Sequence, residues 1–235
     1  MILFALSGFL GAADDWQGVP AELEPDLPPV GSLQEWAEQF NAYASAFKAP
    51  RVLIGYSLGG RKALHALLDR EDLWSQMILL STHPGLPSEE EREARREQDL
   101  IWAERFLTED WDAVMDAWNA QPVFAGSIPI ARQMDRKKAA HELTDFSLGR
   151  QQDLRGAIAQ LETPIQWVAG AKDPKFARIS EEMAELHVHS QSLILKEFGH
   201  RINFQLIYEL IMDKLPREVN NGHMEKDQRL SGHQV

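Results

Sequence analysis

Short apolar runs, each closed by a breaker, recur along this chain and alternate with stretches of helical period. The runs at residues 2–6, 52–55, 77–80, 165–169 and 193–196 are continuous rather than alternating, which is the pattern of strands covered on both faces. Between them, apolar residues return at the spacing of one helix face. Ser32-Leu33-Gln34-Glu35 has the form of a capping box for a helix running to about Phe47, and further helices are expected over residues 60–69, 176–186 and 201–215. Strand and helix in alternation predict an α/β fold: a mostly parallel sheet with helices on both faces.

Residues 88–160 break that rhythm with consecutive amphipathic helices, charged at first and then rich in Trp102, Phe106, Trp111, Trp118 and Phe124. The pattern predicts a helical cap inserted into a core made of residues 1–87 and 161–216. Aromatics at helical spacing serve first as the core of such a cap, and a minority would face a ligand. Residues 217–235 are polar and unpatterned and read as a disordered tail.

A chain of 235 residues is long enough for one well-packed domain with an insertion. Its formal net charge of −12 disfavours nucleic acid and anionic membrane surfaces, both of which need a basic face, and leaves a small molecule as the expected partner. The composition says nothing of oligomeric state. The absence of cysteine excludes disulfides, thiolate catalysis and cysteine-ligated metal, and the histidines show no metal-binding spacing, so no cofactor or metal is expected. Met1-Ile2-Leu3-Phe4-Ala5-Leu6 lacks a basic lead and reads as a first strand rather than a signal peptide. No apolar run approaches the roughly 20 residues of a membrane span, which makes the expected location cytoplasmic.

The chemistry starts at Gly55-Tyr56-Ser57-Leu58-Gly59, where a buried strand gives way to a helix. A serine hydroxyl is inert until a base takes its proton, and a sharp strand-to-helix turn with small flanking residues lifts it to where a histidine can reach. The partners of such a serine follow in the order acid, then histidine, each on a loop after a strand. Asp173 in Gly170-Ala171-Lys172-Asp173-Pro174 fits the acid, and His200 after Glu197-Phe198-Gly199 fits the base. His83 also follows a strand, but as the base it would precede the acid. His65, His141, His187, His189, His223 and His233 sit in helices, at a strand start or in the tail. An oxyanion hole needs two backbone N–H groups, expected from Leu58 and from Phe9 in Ser7-Gly8-Phe9-Leu10-Gly11.

These residues carry a specific resemblance. Ser7-Gly8-Phe9-Leu10-Gly11 with Asp15-Trp16, Gly55 through Arg61, His83-Pro84-Gly85-Leu86, Arg105-Phe106-Leu107-Thr108, Trp118 with Gln121-Pro122-Val123-Phe124, Asp173 to Phe176 and Gly199-His200 resemble the 2-succinyl-6-hydroxy-2,4-cyclohexadiene-1-carboxylate synthases, the MenH family of menaquinone biosynthesis, within the α/β-hydrolase superfamily. The resemblance implies a lyase that eliminates pyruvate from a polycarboxylate, with the triad serine acting as a base. It also implies pocket roles for Arg61, Arg95, Tyr56 and Trp118, and a third arginine from the cap, for which Arg132 and Arg136 are the candidates. From the residues alone, Arg61 stands within a turn of Ser57 and suits a carboxylate. Arg95 has Glu91 at i−4 and reads equally well as an ordinary surface pair.

The chain departs from the family pattern at Ser7, where relatives have histidine, and at Pro25-Asp26-Leu27-Pro28-Pro29-Val30-Gly31, where a strand is expected to be short or missing. It opens on the strand feeding the oxyanion loop, so the usual leading hairpin is expected to be absent. The same triad would serve a carboxylester or thioester hydrolase resembling the pimeloyl-carrier-protein methyl ester esterases. Cationic pocket residues favour the lyase, and an apolar acyl tunnel would favour the esterase.

Overall fold

The computed structural model describes residues 1–212; the predicted tail, and the end of the helix expected over residues 201–215, lie outside them. Six strands, β1 (Ile2–Leu6), β2 (Glu22–Leu23), β3 (Arg51–Tyr56), β4 (Gln76–Leu80), β5 (Ile165–Gly170) and β6 (Ser190–Leu195), form one sheet in the order β2-β1-β3-β4-β5-β6, and every pairing is parallel. Successive side chains of a strand point to opposite faces, so each strand feeds two cores. Phe4, Leu6, Leu53, Leu79 and Trp167 pack on one side with the helices α1 (Leu33–Ser45), α2 (Leu58–Asp69) and α7 (Pro174–Leu186). Leu3, Ala5, Val52, Ile54, Ile78 and Val168 face the other side. There Trp16 stacks on Phe204 of α8 (Phe204–Met212) with ring centroids 4.1 Å apart. The first core is aromatic at its centre: Phe4 is sealed from solvent and meets Phe40, Phe47 and Trp74 edge-on at 5.9, 5.1 and 5.6 Å. Each such ring contributes about 2–3 kcal/mol by burial.

Between β4 and β5 run α3 (Glu89–Thr108), α4 (Trp111–Asn119), α5 (Arg136–Thr144) and the short α6 (Arg155–Ile158). Trp102, Phe106, Trp111, Val114, Trp118, Ala139 and Leu143 from α3, α4 and α5 form a third core, whose floor is Leu10 of the loop after β1, with Phe9 packed against it. The aromatic stripe read from the sequence therefore joins these helices to one another and to the loop expected to supply an oxyanion donor.

Several boundaries differ from the sequence reading for local reasons. The strand expected to be short or missing beside Pro25 is present as β2. It is a two-residue segment just before Pro25, too short for a periodic signal, and it pairs with Phe4 and Ala5 of β1. Ser32 caps α1, its hydroxyl accepting the Glu35 N–H at 3.2 Å, but the Glu35 carboxylate reaches past Ser32 to the Gly31 N–H at 2.9 Å, so the reciprocal half of the box is displaced by one residue. The helices α2 and α7 begin two residues before their predicted starts, directly after Ser57 and Asp173. Pro174 does not simply interrupt the strand exit; it occupies the first position of α7, where its fixed φ and missing N–H suit a helix start.

Candidate active site

Ser57 sits at the end of β3 with φ 52° and ψ −109°, a backbone conformation that costs on the order of 1–3 kcal/mol in a residue with a side chain. Its N–H donates to the Leu80 carbonyl at 2.9 Å, tying the elbow to β4. The turn is possible because the flanks are bare. A Cβ on Gly59 would collide with the carbonyl oxygens of Leu6 and Ser7, and one on Gly8 would come 2.7 Å from the Tyr56 ring. The elbow and the loop after β1 are thus in backbone contact, which sequence spacing required but did not prove.

His200 and Asp173 reach this point from the ends of β6 and β5. His200 Nε2 lies 3.4 Å from Ser57 Oγ, and His200 Nδ1 lies 2.8 Å from Asp173 Oδ2. Both side chains of this pair are 5% exposed, so their interaction is screened little by solvent. Burial lowers the pKa of His200 below 6.5, and the hydrogen bond and charge of Asp173 oppose that shift. Such a chain can take the serine proton at neutral pH. The predicted triad residues come together, and the chain order Ser, Asp, His is kept.

Leu58 is the first residue of α2, so its N–H is one of the donors a helix leaves unpaired at its start. The Phe9 N–H also lacks a backbone acceptor among the described residues. Ser7, at the position where the family pattern differs, accepts the Trp16 indole N–H at 2.9 Å and donates to the Ala12 carbonyl at 3.4 Å, bracing the loop from below. Tyr56 is buried with its ring centroid 5.7 Å from that of His200, and burial raises the pKa of its hydroxyl. Trp118 packs on Phe9 at 4.8 Å and on Phe124 at 5.9 Å, and Phe124 meets the His200 ring edge-on at 5.6 Å. The aromatic roof thus runs from the loop after β1 to the His200 ring.

The cationic residues divide. Arg61 is buried, donating from Nη2 to the Phe146 carbonyl at 2.6 Å and from Nη1 to Gln151 Oε1 at 3.4 Å. Desolvation and then the nearby charge of Arg95 bring its pKa down to about 9, and Asp99 partly offsets them. Arg95 does not use Glu91. Its Nε is 2.9 Å from both oxygens of the buried Asp99, which also accepts the Ser147 hydroxyl at 2.7 Å. The two cap candidates differ: Arg132 forms a two-bond pair with Asp15, at 3.0 and 2.5 Å, whereas Arg136 donates from Nη1 alone to the Phe106 and Glu109 carbonyls at 2.7 and 2.8 Å.

His83 is excluded as the base by its tautomer. Its Nδ1 accepts the Gly85 N–H at 3.1 Å, which leaves the ring proton on Nε2. Desolvation first, then the charges of Lys175, Arg155, Arg61 and Arg95, push its pKa down to about 3. His187 bonds Ser190 and the Leu161 carbonyl, His141 pairs with Asp145 and His189 with Glu162, so these are structural. His65 lies half-buried within α2, and His223 and His233 lie outside the described residues. Three supporting residues were missed in the sequence. The Ser81 hydroxyl, on a residue at φ 45°, donates to the His200 carbonyl at 2.8 Å; Phe176 packs 4.6 Å from the His200 ring; and Ser127 Oγ accepts the Arg201 N–H at 3.3 Å. Only Phe176, one helical turn from an acid already in hand, carried a usable signal.

A cavity of about 640 Å³ lies behind the oxyanion loop, lined by Ser7, Gly8, Trp16, Glu24, Lys62 and Glu142 among others; Ser57 and His200 do not line it. Among the described residues no helix is long and apolar enough to cross a membrane, and no group of three or more histidine, aspartate or glutamate side chains is arranged to hold a metal.

No protein-family model matches the chain. It is 33% identical over 211 residues to the 2-succinyl-6-hydroxy-2,4-cyclohexadiene-1-carboxylate synthase of Enterobacter sp. (strain 638), covering 79% of this chain and 81% of that protein. It is 32% identical over 210 residues to the enzyme of the same name from Klebsiella pneumoniae, covering 79% of this chain and 83% of that one. Among solved structures, MenH from S. aureus superposes with a TM-score of 0.84 at 21% identity, covering 94% of this chain and 95% of that one. A thermophilic esterase from Thermogutta terrifontis reaches 0.72 at 18%, covering 93% and 90%. The structural likenesses show the α/β-hydrolase fold, and the sequence identity over four fifths of both chains shows that this chain belongs to the 2-succinyl-6-hydroxy-2,4-cyclohexadiene-1-carboxylate synthase family.

Proposed function

We propose that the protein is a lyase of menaquinone biosynthesis, eliminating pyruvate from 2-succinyl-5-enolpyruvyl-6-hydroxy-3-cyclohexene-1-carboxylate. The observation that carries this reading is the Ser57–His200–Asp173 chain, at 3.4 and 2.8 Å, with the buried Arg61 one turn along the helix from Ser57 and Arg95 close enough to act on its charge. Ser57 Oγ, its own proton passed to His200 Nε2, removes the ring proton beside the succinyl carbonyl. The electron pair left behind moves into the ring, a new C=C bond forms, and the C–O bond to the enolpyruvyl group breaks. The enolate of pyruvate leaves and takes up a proton, which His200 would return.

The Phe9 and Leu58 N–H groups would bind the succinyl oxygen as negative charge gathers on it, the service an oxyanion hole gives to any developing enolate or tetrahedral intermediate. Arg61 and Arg95 would face the substrate carboxylates, and an anion between them would relieve the repulsion that lowers the Arg61 pKa. Tyr56 and Trp118 would line the pocket, with residues 88–160 closing it as a cap and excluding water.

The test is pyruvate release from enzymatically generated substrate, wild type against Ser57→Ala, with short acyl esters assayed alongside. Pyruvate above the spontaneous rate, lost in the variant, supports the lyase. Ester cleavage alone depending on Ser57 would leave the fold and triad and replace the lyase by the esterase.

A further inference from the structure

Arg201 follows His200 directly, and its guanidinium is pinned on one edge and one face. Nη1 donates to the Ile128 carbonyl at 2.7 Å, and the cation lies 4.1 Å from the centroid of the Phe124 ring. Its remaining donors, Nε and Nη2, are buried and have no acceptor among the described residues. These two N–H bonds form the edge of a guanidinium on which both donors run parallel. Arg70 presents that same edge to both oxygens of Asp72, and Arg105 presents it to both oxygens of Glu109. A charged donor pair withdrawn from water and left unmatched is costly, and folded proteins keep few such groups without a functional reason.

The location ties that empty edge to the chemistry. Phe124, under the guanidinium, is the ring that meets His200 edge-on at 5.6 Å. The charge of Arg201 is also close enough to Tyr56 and His200 to act on the acidity of both. Of the two arginines that the family resemblance nominated for a third anion contact, Arg132 has Nη1 and Nη2 on Asp15, and Arg136 holds Nη1 on the Phe106 and Glu109 carbonyls. Arg61, too, spends two of its donors on Phe146 and Gln151.

We propose that Arg201 is a substrate-binding residue whose Nε–H and Nη2–H edge takes both oxygens of one substrate carboxylate, supplying an anion contact next to His200. The inference rests on the polycarboxylate substrate proposed above. Because the edge is covered here, the contact belongs to the ligand-bound state, with the side chains over it displaced.

Binding is measured by calorimetry in a Ser57→Ala background, which does no chemistry, using the cyclohexene substrate and, separately, succinate as a minimal dicarboxylate. Arg201→Gln is expected to weaken both by roughly 10- to 100-fold, the worth of a charge-assisted hydrogen-bonded pair, with an unchanged melting temperature. Arg201→Lys keeps the charge over Phe124 and loses the parallel donors, so it is expected to recover only part of the affinity. It carries the test alone if Arg201→Gln does not fold. Affinity within twofold of the parent in either folded variant overturns the proposal. So does a loss that tracks a falling melting temperature and is fully restored by lysine, because that marks a structural role. If wild type releases no pyruvate while succinate binding still depends on Arg201, the lyase reading fails and the carboxylate contact stands. Pyruvate release with Arg201-independent binding is the converse.

Discussion

Asp173 serves His200 with one carboxylate oxygen and its own helix with the other: Oδ2 lies 2.8 Å from His200 Nδ1, and Oδ1 accepts the Phe176 N–H at 3.2 Å, capping α7. Orientation of the base and the start of the helix that carries Phe176 onto it therefore depend on a single side chain. The two services separate by substitution. Asn caps a helix as well as Asp does, so Asp173→Asn is expected to melt close to wild type while pyruvate release falls on the order of 10⁴-fold, because an amide cannot fix the tautomer or stabilise the imidazolium. Asp173→Ala should add a stability loss of about 1 kcal/mol. Calorimetry beside the pyruvate assay checks both. A common fall in stability for Asn and Ala would mean that the carboxylate is structural.

The same pair sets the acid limb of the rate. His200 must be neutral to accept a proton, and burial holds its pKa below 6.5 against the support of Asp173. The acid limb of the activity is therefore expected to have its midpoint below pH 6.5, where the lowered folded-state pKa is passed. Removing the support in Asp173→Asn should move that limb lower still while the plateau falls. A kcat/KM profile in which the variant's limb moves upward would sink the assignment of His200 as the base.

Stability has its own pH dependence, through histidines the reaction does not use. His65 and His83 have folded-state pKa values of about 4 and about 3, below the ordinary 6.5, chiefly through burial. The unfolded chain binds protons that the folded one refuses, so the stability these residues support is full above pH 6.5 and is lost as pH falls toward 4 and then 3. The slope is up to about 1.4 kcal/mol per pH unit for each residue. Urea titrations of wild type, His65→Gln and His83→Gln between pH 7 and 4.5 measure it. Each substitution is expected to flatten the slope, and an unchanged slope would mean that carboxylates alone drive acid unfolding.

Much of this was legible in the chain. Continuous apolar runs located β1, β3, β4 and β5, since strands covered on both faces leave no polar alternation to confuse them, but found only the second half of β6, whose first three residues, Ser190-Gln191-Ser192, are polar. The triad was legible because each member lies at a strand exit in a fixed order, and the exits converge on one edge of such a sheet. What stayed hidden is what depends on tertiary partners. The strand β2 is two residues long, and its register is set by β1 rather than by its own pattern. Arg95 had acids on both sides in sequence, and the choice of Asp99 over Glu91 is made by Ser147, 48 positions away, which anchors the Asp99 carboxylate. The positive φ of Ser81 and the unmatched edge of Arg201 have no sequence signature, because both are defined by what surrounds them.

The contact between elbow and oxyanion loop can be tested at its narrowest point. A methyl at residue 8 would come 2.7 Å from the Tyr56 ring and 3.2 Å from its carbonyl oxygen, and a buried ring has little room to yield. Gly8→Ala is therefore expected to shift the loop that carries the Phe9 N–H, costing about 1–3 kcal/mol of stability. The loss of one aligned donor should lower kcat by about 10²- to 10³-fold with a smaller change in KM. A variant of reduced stability but normal kcat would show that the Phe9 N–H is not an oxyanion donor.

The Arg132–Asp15 pair joins the segment between α4 and α5 to the loop after β1, and the same Asp15 carboxylate accepts the Ala12 N–H at 2.8 Å. Its side chains are 28% and 25% exposed, so solvent weakens the attraction and the pair should contribute no more than about 1 kcal/mol to global stability. Its value lies in position. Trp111 Nε1 donates to the Arg132 carbonyl at 3.0 Å, so the arginine that grips the loop is itself fixed to the aromatic core of the cap. Arg132→Gln is expected to leave the melting temperature within a few degrees, since 1 kcal/mol moves a domain of this size by about 2–4 °C. Amide exchange should nonetheless quicken around residues 125–135 and 9–15, and KM should rise more than kcat falls. Exchange unchanged in both segments would show that aromatic packing of Trp118 on Phe9 holds the cap to the loop without the ion pair.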